Sequence, residues 1–304
     1  MVSIEDTSPA RRTMWPAFAA LLAGALAMGS SPIFVRLADV GPFASAFFRV
    51  GLALPFLYAW MRLEQARIGT DRPARRFSLP VVATGLAFTA DLLFWHLAIL
   101  NTSVANATFF ATTAPIWVGL IGWLALGRRV APMTLVGLLF CLAGGASLVW
   151  QSLAFSPGHL VGDLYAGFTG VFFGIYFLTV EWARRNEGAA TITFQMSLIT
   201  AGLLAVVAIC AHLLHGERLF PSDAKGWLVL AYLAVVSHAG GQGMLSYALG
   251  MLPSMFSSLV IFLEAVAAAA LAWLVLGEAL TSLQVLGGCA ILFGIWLSRP
   301  RARA

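Results

Sequence analysis

The sequence predicts an all-α membrane protein with ten transmembrane helices, arranged as two inverted five-helix repeats. Three observations predict this fold class. Of the 304 residues, 60% are hydrophobic and only 10% are charged, whereas a soluble domain carries about a quarter charged residues. The apolar residues fall into ten runs of roughly membrane-spanning length. The second half of the chain also repeats the first at a constant offset. This composition excludes the soluble globular and the disordered classes.

The ten apolar runs are separated by polar, glycine and proline residues, which interrupt helices. Helices are expected because lipid cannot satisfy exposed backbone groups, and the runs lack the alternation of a barrel strand. The first run follows two arginines, as a secretory signal does, but it is longer than a signal core and we expect an uncleaved span. The predicted spans are residues 15–37, 43–62, 77–100, 104–126, 132–150, 160–182, 191–214, 226–250, 254–276 and 282–298.

The basic residues are distributed unevenly between the two faces of this bundle. If the spans alternate in direction, the loops of one face hold only Arg218 and Lys225, while Arg36 and Arg49 fall within spans. The asymmetry is the positive-inside pattern, which places both termini in the cytoplasm and requires an even number of spans. It accounts for the net charge of +5 without a nucleic-acid partner. The fourteen basic residues of the other face are Arg11, Arg12, Arg62, Arg67, Arg72, Arg75, Arg76, Arg128, Arg129, Arg184, Arg185, Arg299, Arg301 and Arg303.

An internal repeat appears when the chain is compared with itself at an offset of 150 residues. The offset also pairs Gly137 with Gly287 and Gly144 with Gly294. We therefore expect a first five-helix repeat over 15–150 and a second over 160–298, with cytoplasmic tails at 1–14 and 299–304. The longest matching stretches are Trp123-Leu124-x-Leu126-Gly127 and Trp273-Leu274-x-Leu276-Gly277.

Five spans per repeat is an odd number, so the second repeat must enter the membrane from the opposite side. The loop charges agree, because Arg128 and Arg129 follow Gly127 whereas Glu278 and Ala279 follow Gly277. Inverted repeats recur in secondary transporters, where two mirrored halves expose one site alternately to each side. A duplicated helical unit without transport activity is the alternative.

Several short motifs are spread over both halves of the chain. They are Ala105-Asn106-Ala107 through Ala114-Pro115, Trp123-Leu124-Ala125-Leu126-Gly127, Leu263-Glu264-Ala265, Leu274-Val275-Leu276-Gly277-Glu278 and Gly287-Gly288. These motifs resemble the EamA-type members of the drug/metabolite transporter superfamily, and the resemblance covers essentially the whole chain. It implies an inner-membrane carrier, often an exporter of amino acids or related metabolites, with a central cavity lined by both halves.

Ionisable residues inside the predicted spans are the first candidates for a functional site, because burying them in lipid costs several kcal/mol by insertion scales. Glu264 lies at the centre of span 9 with no basic neighbour in sequence, so it is a candidate for proton coupling or for binding a substrate ammonium. The alternative is a protonated carboxyl hydrogen-bonded across helices. Arg49 and Asp91 lie at comparable depth, either as a static ion pair or as charge-coupling residues, and His96 is a further candidate.

Polar and aromatic residues at helical spacing are the second group of candidates. Each of these sets is also explained by ordinary helix packing, which is the more frequent role of such residues. His238 and Gln242 share one face, and Gly240-Gly241 between them permits close packing or local unwinding. The predicted substrate-binding residues are Ser30, Ser31, Asn106, Phe110, Thr113, Trp117, Tyr176, His238 and Gln242.

These features favour a secondary carrier for a small polar or aromatic metabolite, with proton coupling as one way to drive it. The second hypothesis is a membrane-embedded enzyme acting on a lipid-linked or amphiphilic substrate. The sequence has no phosphate-binding loop and no His-Glu-x-x-His pair, so neither ATP hydrolysis nor a zinc centre is expected. Its three cysteines, Cys141, Cys210 and Cys289, all lie within spans, so no disulfide, metal or cofactor is predicted.

Overall fold

The computed structural model describes residues 9–68, 77–150, 160–276 and 281–300. All regular structure in these ranges is helical. Eight helical segments of this part are long and apolar enough to cross a membrane, and the shorter Ser254–Ala267 and Ser282–Ser298 bring the total to ten. The chain is therefore an all-helical membrane protein of ten spans, which confirms the predicted fold class.

The ten spans are numbered in chain order, and five of them are continuous helices. The predicted boundaries agree to within six residues, the largest differences being span 1, which starts at Pro9, and span 2, which continues to Ile68. The helices are Pro9–Gly29 and Ser31–Leu37 in span 1, Pro42–Gly51 and Leu54–Ile68 in span 2, Leu79–Asn101 in span 3, Val104–Ala111 and Ala114–Leu126 in span 4, Pro132–Val149 in span 5, Leu160–Ala183 in span 6, Ala189–His215 in span 7, Ala224–Tyr232, Leu233–Gln242 and Gly243–Ala248 in span 8, Ser254–Val260 and Leu263–Leu276 in span 9, and Ser282–Ser298 in span 10.

Some predicted features lie outside the described residues. These are the basic residues Arg72, Arg75, Arg76, Arg301 and Arg303, and the loop residues Gly277, Glu278 and Ala279 that follow span 9.

Two breaks occur at positions of the two repeats that are equivalent to within one residue. Span 4 is interrupted at Thr112 and Thr113, and span 9 at Ile261 and Phe262. In span 4 the hydroxyl of Thr112 donates to the carbonyl oxygen of Phe109 at 2.7 Å, which satisfies one acceptor freed by the break. Each fourth span therefore consists of two half-helices that meet near the middle of the membrane.

Span 8 contains a π-helical segment, Leu233–Gln242, between two α-helical ends. Its glycines allow span 1 to approach closely: a Cβ added at Gly241 would lie 2.6 Å from Met28 Cγ, and one added at Gly24 would lie 3.0 Å from the oxygen of Gly241. The glycine-rich stretch therefore serves close packing, as expected, within an unusually wide helical turn. Such segments occur frequently at functional sites.

Spans 5 and 10 pack against each other through two symmetric contacts. A Cβ added at Gly137 would lie 2.5 Å from the oxygen of Gly294, and one added at Gly144 would lie 2.5 Å from the oxygen of Gly287. At the offset of 150 residues, Gly137 is equivalent to Gly287 and Gly294 is equivalent to Gly144, so the first pair corresponds to the second. The two contacts are therefore the same contact made once by each repeat.

The centre of this interface lies on a pseudo-two-fold axis. The thiol Sγ of Cys141 lies 3.7 Å from the carbonyl oxygen of Ile291, and these two positions are equivalent at the same offset. Since the glycine contacts make the two helices antiparallel, the axis that exchanges them is perpendicular to both and lies in the membrane plane. This relation inverts the second repeat relative to the first.

Candidate functional site

A polar cavity of about 50 Å³ lies in the middle of the bundle, where spans 1, 2, 3, 4, 6, 8 and 9 meet. Side chains from both repeats line it, so no single span forms the site. The lining residues are Met28, Ser31, Pro32, Arg49, Asp91, Leu92, Trp95, Thr108, Ala111, Thr112, Thr169, Phe173, Gln242, Ile261 and Glu264.

Arg49 is the only cation among the residues that line this cavity. Its side chain is 4% exposed. Its Nη1 donates to the hydroxyl of Ser31 at 3.1 Å, and its Cζ lies 5.5 Å from the ring centroid of Trp95. A guanidinium over an indole face is attracted by the ring quadrupole, by about 2 kcal/mol or more when water is excluded. Within the described part of the chain Nε has no partner, so Arg49 retains donor capacity.

Two carboxylates, Asp91 and Glu264, line the same cavity as Arg49. Asp91 is 7% exposed and Glu264 is partly buried. Among the described residues, the ion pairs with N–O distances up to 4.0 Å do not include Arg49 with either carboxylate. The charges therefore surround one space without being joined by a direct salt bridge.

Glu264 lies at the start of the second half-helix of span 9, where span 1 packs closely against it. It lies in the first turn of the half-helix Leu263–Leu276, where the positive end of the helix dipole stabilises a carboxylate by about 0.3–1 kcal/mol. Span 1 packs directly on its backbone, since a Cβ added at Gly29 would lie 2.9 Å from the oxygen of Glu264. The carboxylate is thus directed toward the cavity from a closely packed junction.

The structure brings together five of the thirteen residues that the sequence predicts for the site. These are Ser31, Arg49, Asp91, Gln242 and Glu264. The oxygen Oε1 of Gln242 is buried without a hydrogen-bond partner among the described residues, so it is a further free acceptor at the cavity. The other eight lie outside the lining, and their predicted roles stay predictions: Ser30, His96, Asn106, Phe110, Thr113, Trp117, Tyr176 and His238.

The face of span 4 that was predicted to line the site packs against span 6. A Cβ added at Gly170 would lie 2.6 Å from Thr113 Oγ1, and one added at Gly174 would lie 2.7 Å from Trp117 Cβ. The cavity instead meets a different face of span 4, formed by Thr108, Ala111 and Thr112. These three residues have i, i+3, i+4 spacing, but small side chains in a membrane helix give no sequence signal for a binding face.

The two predicted histidines lie outside the cavity lining, although the partner of His96, Leu92, is itself a lining residue. His96 Nδ1 lies 2.8 Å from the carbonyl oxygen of Leu92, in its own helix, and His238 Nε2 lies 2.8 Å from the hydroxyl of Ser197 in span 7. Tyr176 is fully buried and packs on the ring of Phe88, with centroids 5.2 Å apart.

Ser30, Asn106 and Phe110 contact neighbouring elements outside the cavity lining. Ser30 lies at the break in span 1, where its hydroxyl is 2.9 Å from that of Tyr232 in span 8. Asn106 donates from Nδ2 to Asp163 Oδ1 at 2.8 Å, which links span 4 to span 6. Phe110 packs at the partly buried edge of a small cluster with Ala98 and Ala166.

Trp95 and Phe173 are cavity-lining residues that were not predicted as site residues. Trp95 is the neighbour of His96 in sequence, and its role follows only from the position of Arg49 across the span 2–span 3 junction. Phe173 lies on span 6, one turn from Thr169, which also lines the cavity. An aromatic residue in an apolar helix is common enough that sequence alone could not single out Trp95 or Phe173.

A second, larger space opens at the face where span 1 begins and span 10 ends, called here the termini face. This termini-side groove has a volume of about 570 Å³ and is lined by parts of spans 4, 5, 6, 9 and 10 together with the loop after span 4. It shares no lining residue with the central cavity. Along span 6, Leu178 and Glu181 line the groove while Thr169 and Phe173 line the cavity, so the groove lies on the route from the cavity to the termini face.

Ten spans in two inverted halves, with a charged cavity at their junction, define a membrane transporter of the inverted-repeat type. The model of the EamA-like transporter family matches the chain twice, over residues 15–150 and 160–299. The chain therefore belongs to the EamA-like transporter family. The hypothesis of a membrane-embedded enzyme is set aside, because members of this family are transporters.

Curated relatives of similar length are distant in sequence. An uncharacterized transporter of Archaeoglobus fulgidus is 26% identical over 92% of this chain and 95% of its own length. The pseudopaline exporter CntI of Pseudomonas aeruginosa is 25% identical over 84% of this chain and 85% of its own. The threonine/homoserine exporter RhtA of Salmonella typhimurium is 25% identical over 73% of this chain and 71% of its own.

A protein of known crystal structure shares the fold. It superposes with a TM-score of 0.73 at 19% sequence identity, covering 94% of this chain and 96% of its own. At this identity the likeness shows the fold alone.

Proposed function

We propose that this transporter is a secondary carrier that exports a small zwitterionic metabolite, such as an amino acid or a related polar or aromatic compound, across the inner membrane by alternating access. One observation carries the proposal. The central cavity presents a buried guanidinium and two carboxylates around one space, with no direct ion pair between them in the described part of the chain.

A zwitterion complements this arrangement of charges. The free donors of Arg49 match a carboxylate, for which the guanidinium fork is the best protein partner. Asp91 and Glu264 match an ammonium group, and Trp95 and Phe173 offer apolar contact to the rest of the molecule. Charges buried without partners cost several kcal/mol each, so a ligand that pairs both signs stabilises the closed bundle.

The cavity volume of about 50 Å³ is small for a metabolite. Binding therefore requires spans 4 and 9 to move apart from their neighbours, and the breaks at Thr112 and Ile261 are at cavity depth.

The proposal also covers the direction of transport, its coupling to protons and the orientation of the protein in the membrane. Export is supported by the two relatives named as exporters, one of threonine and homoserine and one of pseudopaline. Glu264, Asp91, Arg49 and His96 are proposed as the groups that couple transport to a proton, with Glu264 as the principal proton carrier. The basic residues support cytoplasmic termini, so the termini-side groove opens to the cytoplasm.

Counterflow in proteoliposomes tests the substrate class. We expect labelled neutral amino acids to exchange, whereas the same compounds with an amidated carboxylate or an acetylated amine do not. Arg49→Gln should lower the rate by about tenfold or more, the effect of removing one charged hydrogen-bonding partner of about 1.5–3 kcal/mol. Arg36→Gln is the matched control, because Arg36 is exposed at the end of span 1.

Two outcomes would contradict this substrate class. In one, the amidated and acetylated analogues exchange as fast as the amino acids. In the other, Arg49→Gln and Arg36→Gln transport equally well. If the protein exchanges an unrelated metabolite instead, it is still a carrier, but its substrate is not a zwitterion.

A further inference from the structure

Span 6 (Leu160–Ala183) carries a carboxylate near each of its ends. Asp163 lies in its first turn, at the face opposite the termini, and accepts hydrogen bonds from Thr102 Oγ1 at 2.7 Å and Asn106 Nδ2 at 2.8 Å. Glu181 lies in its last turn, at the termini face, and accepts a hydrogen bond from the backbone N–H of Ser254 at 3.2 Å. One helix thus bonds to a different span at each face.

The partners of the two carboxylates are equivalent points of the two repeats. Asn106 lies in the first turn of span 4, and Ser254 is the first residue of span 9. The offset of 150 residues maps the start of span 4 onto the start of span 9. Span 6 therefore holds the beginning of the fourth helix of each repeat, at opposite faces of the membrane.

The contact at the termini face has a second component. Arg128, which follows span 4, donates to Glu181 with its Nη1 2.9 Å from Oε1 and 3.1 Å from Oε2. Glu181 and Arg128 both line the termini-side groove, and so does Ser254. The carboxylate joins the end of span 4, the end of span 6 and the start of span 9 at the wall of this groove.

The central cavity lies between the two carboxylates along span 6. Thr169 and Phe173 line it, one on each side of the midpoint between Asp163 and Glu181. Spans 4 and 9 line the cavity at their breaks. A movement of span 9 away from Glu181 would therefore open the cavity to the termini face, and a movement of span 4 away from Asp163 would open it to the other face.

We infer that Glu181 and Asp163 are positioning residues that control which face the cavity opens to, Glu181 closing the termini face and Asp163 closing the opposite face. The inference rests on the proposed alternating access. Because each contact exists only while its own face is closed, weakening one changes the relative free energies of the two open conformations. The two variants must therefore shift the conformational equilibrium in opposite directions.

Thiol labelling from each face tests this inference. The reporter is Ala111→Cys, in the cavity wall, in a chain whose Cys141, Cys210 and Cys289 are replaced by alanine or serine. A membrane-impermeant thiol reagent is applied to vesicles of each orientation. Glu181→Gln should raise the labelling rate from the termini face about three- to tenfold and lower it from the other face, and Asp163→Asn should do the reverse. The double variant should return to a ratio near that of the parent.

Two carboxylates with similar bonds elsewhere are the matched controls. Glu187 accepts from the hydroxyl of Ser78 at the termini face, and Asp39 binds Arg218 and Ser222 at the other. Glu187→Gln and Asp39→Asn should leave the ratio of labelling from the two faces unchanged. Loss of folding would change labelling from both faces in the same direction, so opposite shifts report the conformational equilibrium.

Equal ratios for all variants, or shifts in the same direction for Glu181→Gln and Asp163→Asn, would overturn the inference. Counterflow by the parent protein separates this failure from a failure of the proposed function. If the parent transports but the variants show the same labelling ratio as the parent, the carrier function stands. Glu181 and Asp163 are then not positioning residues.

Discussion

Arg49 shows how a buried charge is accommodated here without a carboxylate in contact. The guanidinium is supported by the hydroxyl of Ser31 and the ring of Trp95, while Asp91 and Glu264 share the cavity beyond ion-pair distance. A static brace between Arg49 and Asp91 was one of the two alternatives considered from the sequence. Among the described residues the two side chains form no direct salt bridge, which supports the proposal that a ligand pairs with them in a setting where the desolvation cost is already present.

The substitution Glu264→Gln tests the proposed coupling role. It keeps the size and the hydrogen-bonding capacity of the side chain but removes the proton that the carboxyl can bind or release. We expect proton-driven transport to fall about tenfold or more and to lose its pH dependence, while substrate exchange without a proton gradient falls less, because Asp91 still pairs with the substrate ammonium. The measurement is uptake into proteoliposomes over a series of pH values.

Glu217→Gln is a suitable control, since Glu217 lies in the loop after span 7, far along the chain from the cavity-lining residues. If Glu264→Gln transports at the parent rate across the whole pH range, Glu264 has no part in coupling.

At the scale of helices, the two repeats use the same packing device twice. A Cβ added at Gly29 in span 1 would lie 2.9 Å from the backbone oxygen of Glu264, and one added at Gly174 in span 6 would lie 3.1 Å from that of Ala114. Glu264 and Ala114 are equivalent positions of the two repeats. The first helix of each repeat thus packs on the broken fourth helix of the other, which joins the halves at the depth of the cavity.

The glycine contact between spans 5 and 10 provides a stability prediction. In Gly144→Ala, the added Cβ would lie 2.5 Å from the oxygen of Gly287 and 2.9 Å from Ile291 Cγ1, so the two backbones must separate. We expect a loss of about 1–3 kcal/mol, typical of overpacking in a close-packed interior. The measurement is thermal unfolding of the purified protein in detergent.

Gly202→Ala in span 7 is the matched control, because a Cβ there meets no atom within 4 Å. Alanine is favoured over glycine inside a helix by about 0.5–1 kcal/mol, so this variant should be as stable as the parent or more stable. A melting temperature of Gly144→Ala equal to that of Gly202→Ala would show that spans 5 and 10 are not in close contact.

At the scale of the whole molecule, the symmetry explains how one site can serve two faces. The pseudo-two-fold axis between Cys141 and Ile291 lies in the membrane plane, so any arrangement that closes one face has an equivalent that closes the other. The sequences of the two repeats differ at the site, since Glu264 corresponds to Ala114. The fold is therefore nearly symmetric while the charge of the cavity is not.

Orientation in the membrane is the prediction that belongs to this scale. The sequence predicts fourteen of the 18 basic residues on the side of the termini, so we expect both termini in the cytoplasm. Green fluorescent protein fused after residue 304 should fluoresce, and alkaline phosphatase fused there should be inactive. The same two reporters inserted in the loop between spans 7 and 8 should give the opposite result. Active phosphatase at the C-terminus would reverse the assignment.

Much of the fold was predictable from the sequence because lipid restricts the possibilities so strongly. Spans need about 20 apolar residues and must be helical, so hydropathy located all ten, and the offset of 150 residues predicted the inverted repeat. Four residues of the cavity were found because charged and amide groups are rare in spans, namely Arg49, Asp91, Gln242 and Glu264, and Ser31 was predicted as a fifth.

The remaining site depended on how each helix is rotated about its own axis. Phe110, Thr113 and Trp117 have the helical spacing of a binding face in the sequence. In the structure, however, Gly170 and Gly174 allow span 6 to pack closely against this face. Rotation follows from packing between distant segments, and apolar helices carry little amphipathic signal to reveal it. The sequence by itself thus determined the number of spans, their repeat and the charged residues among them. Only the tertiary structure decided which faces meet at the cavity, because that choice depends on close contacts between helices far apart in the chain.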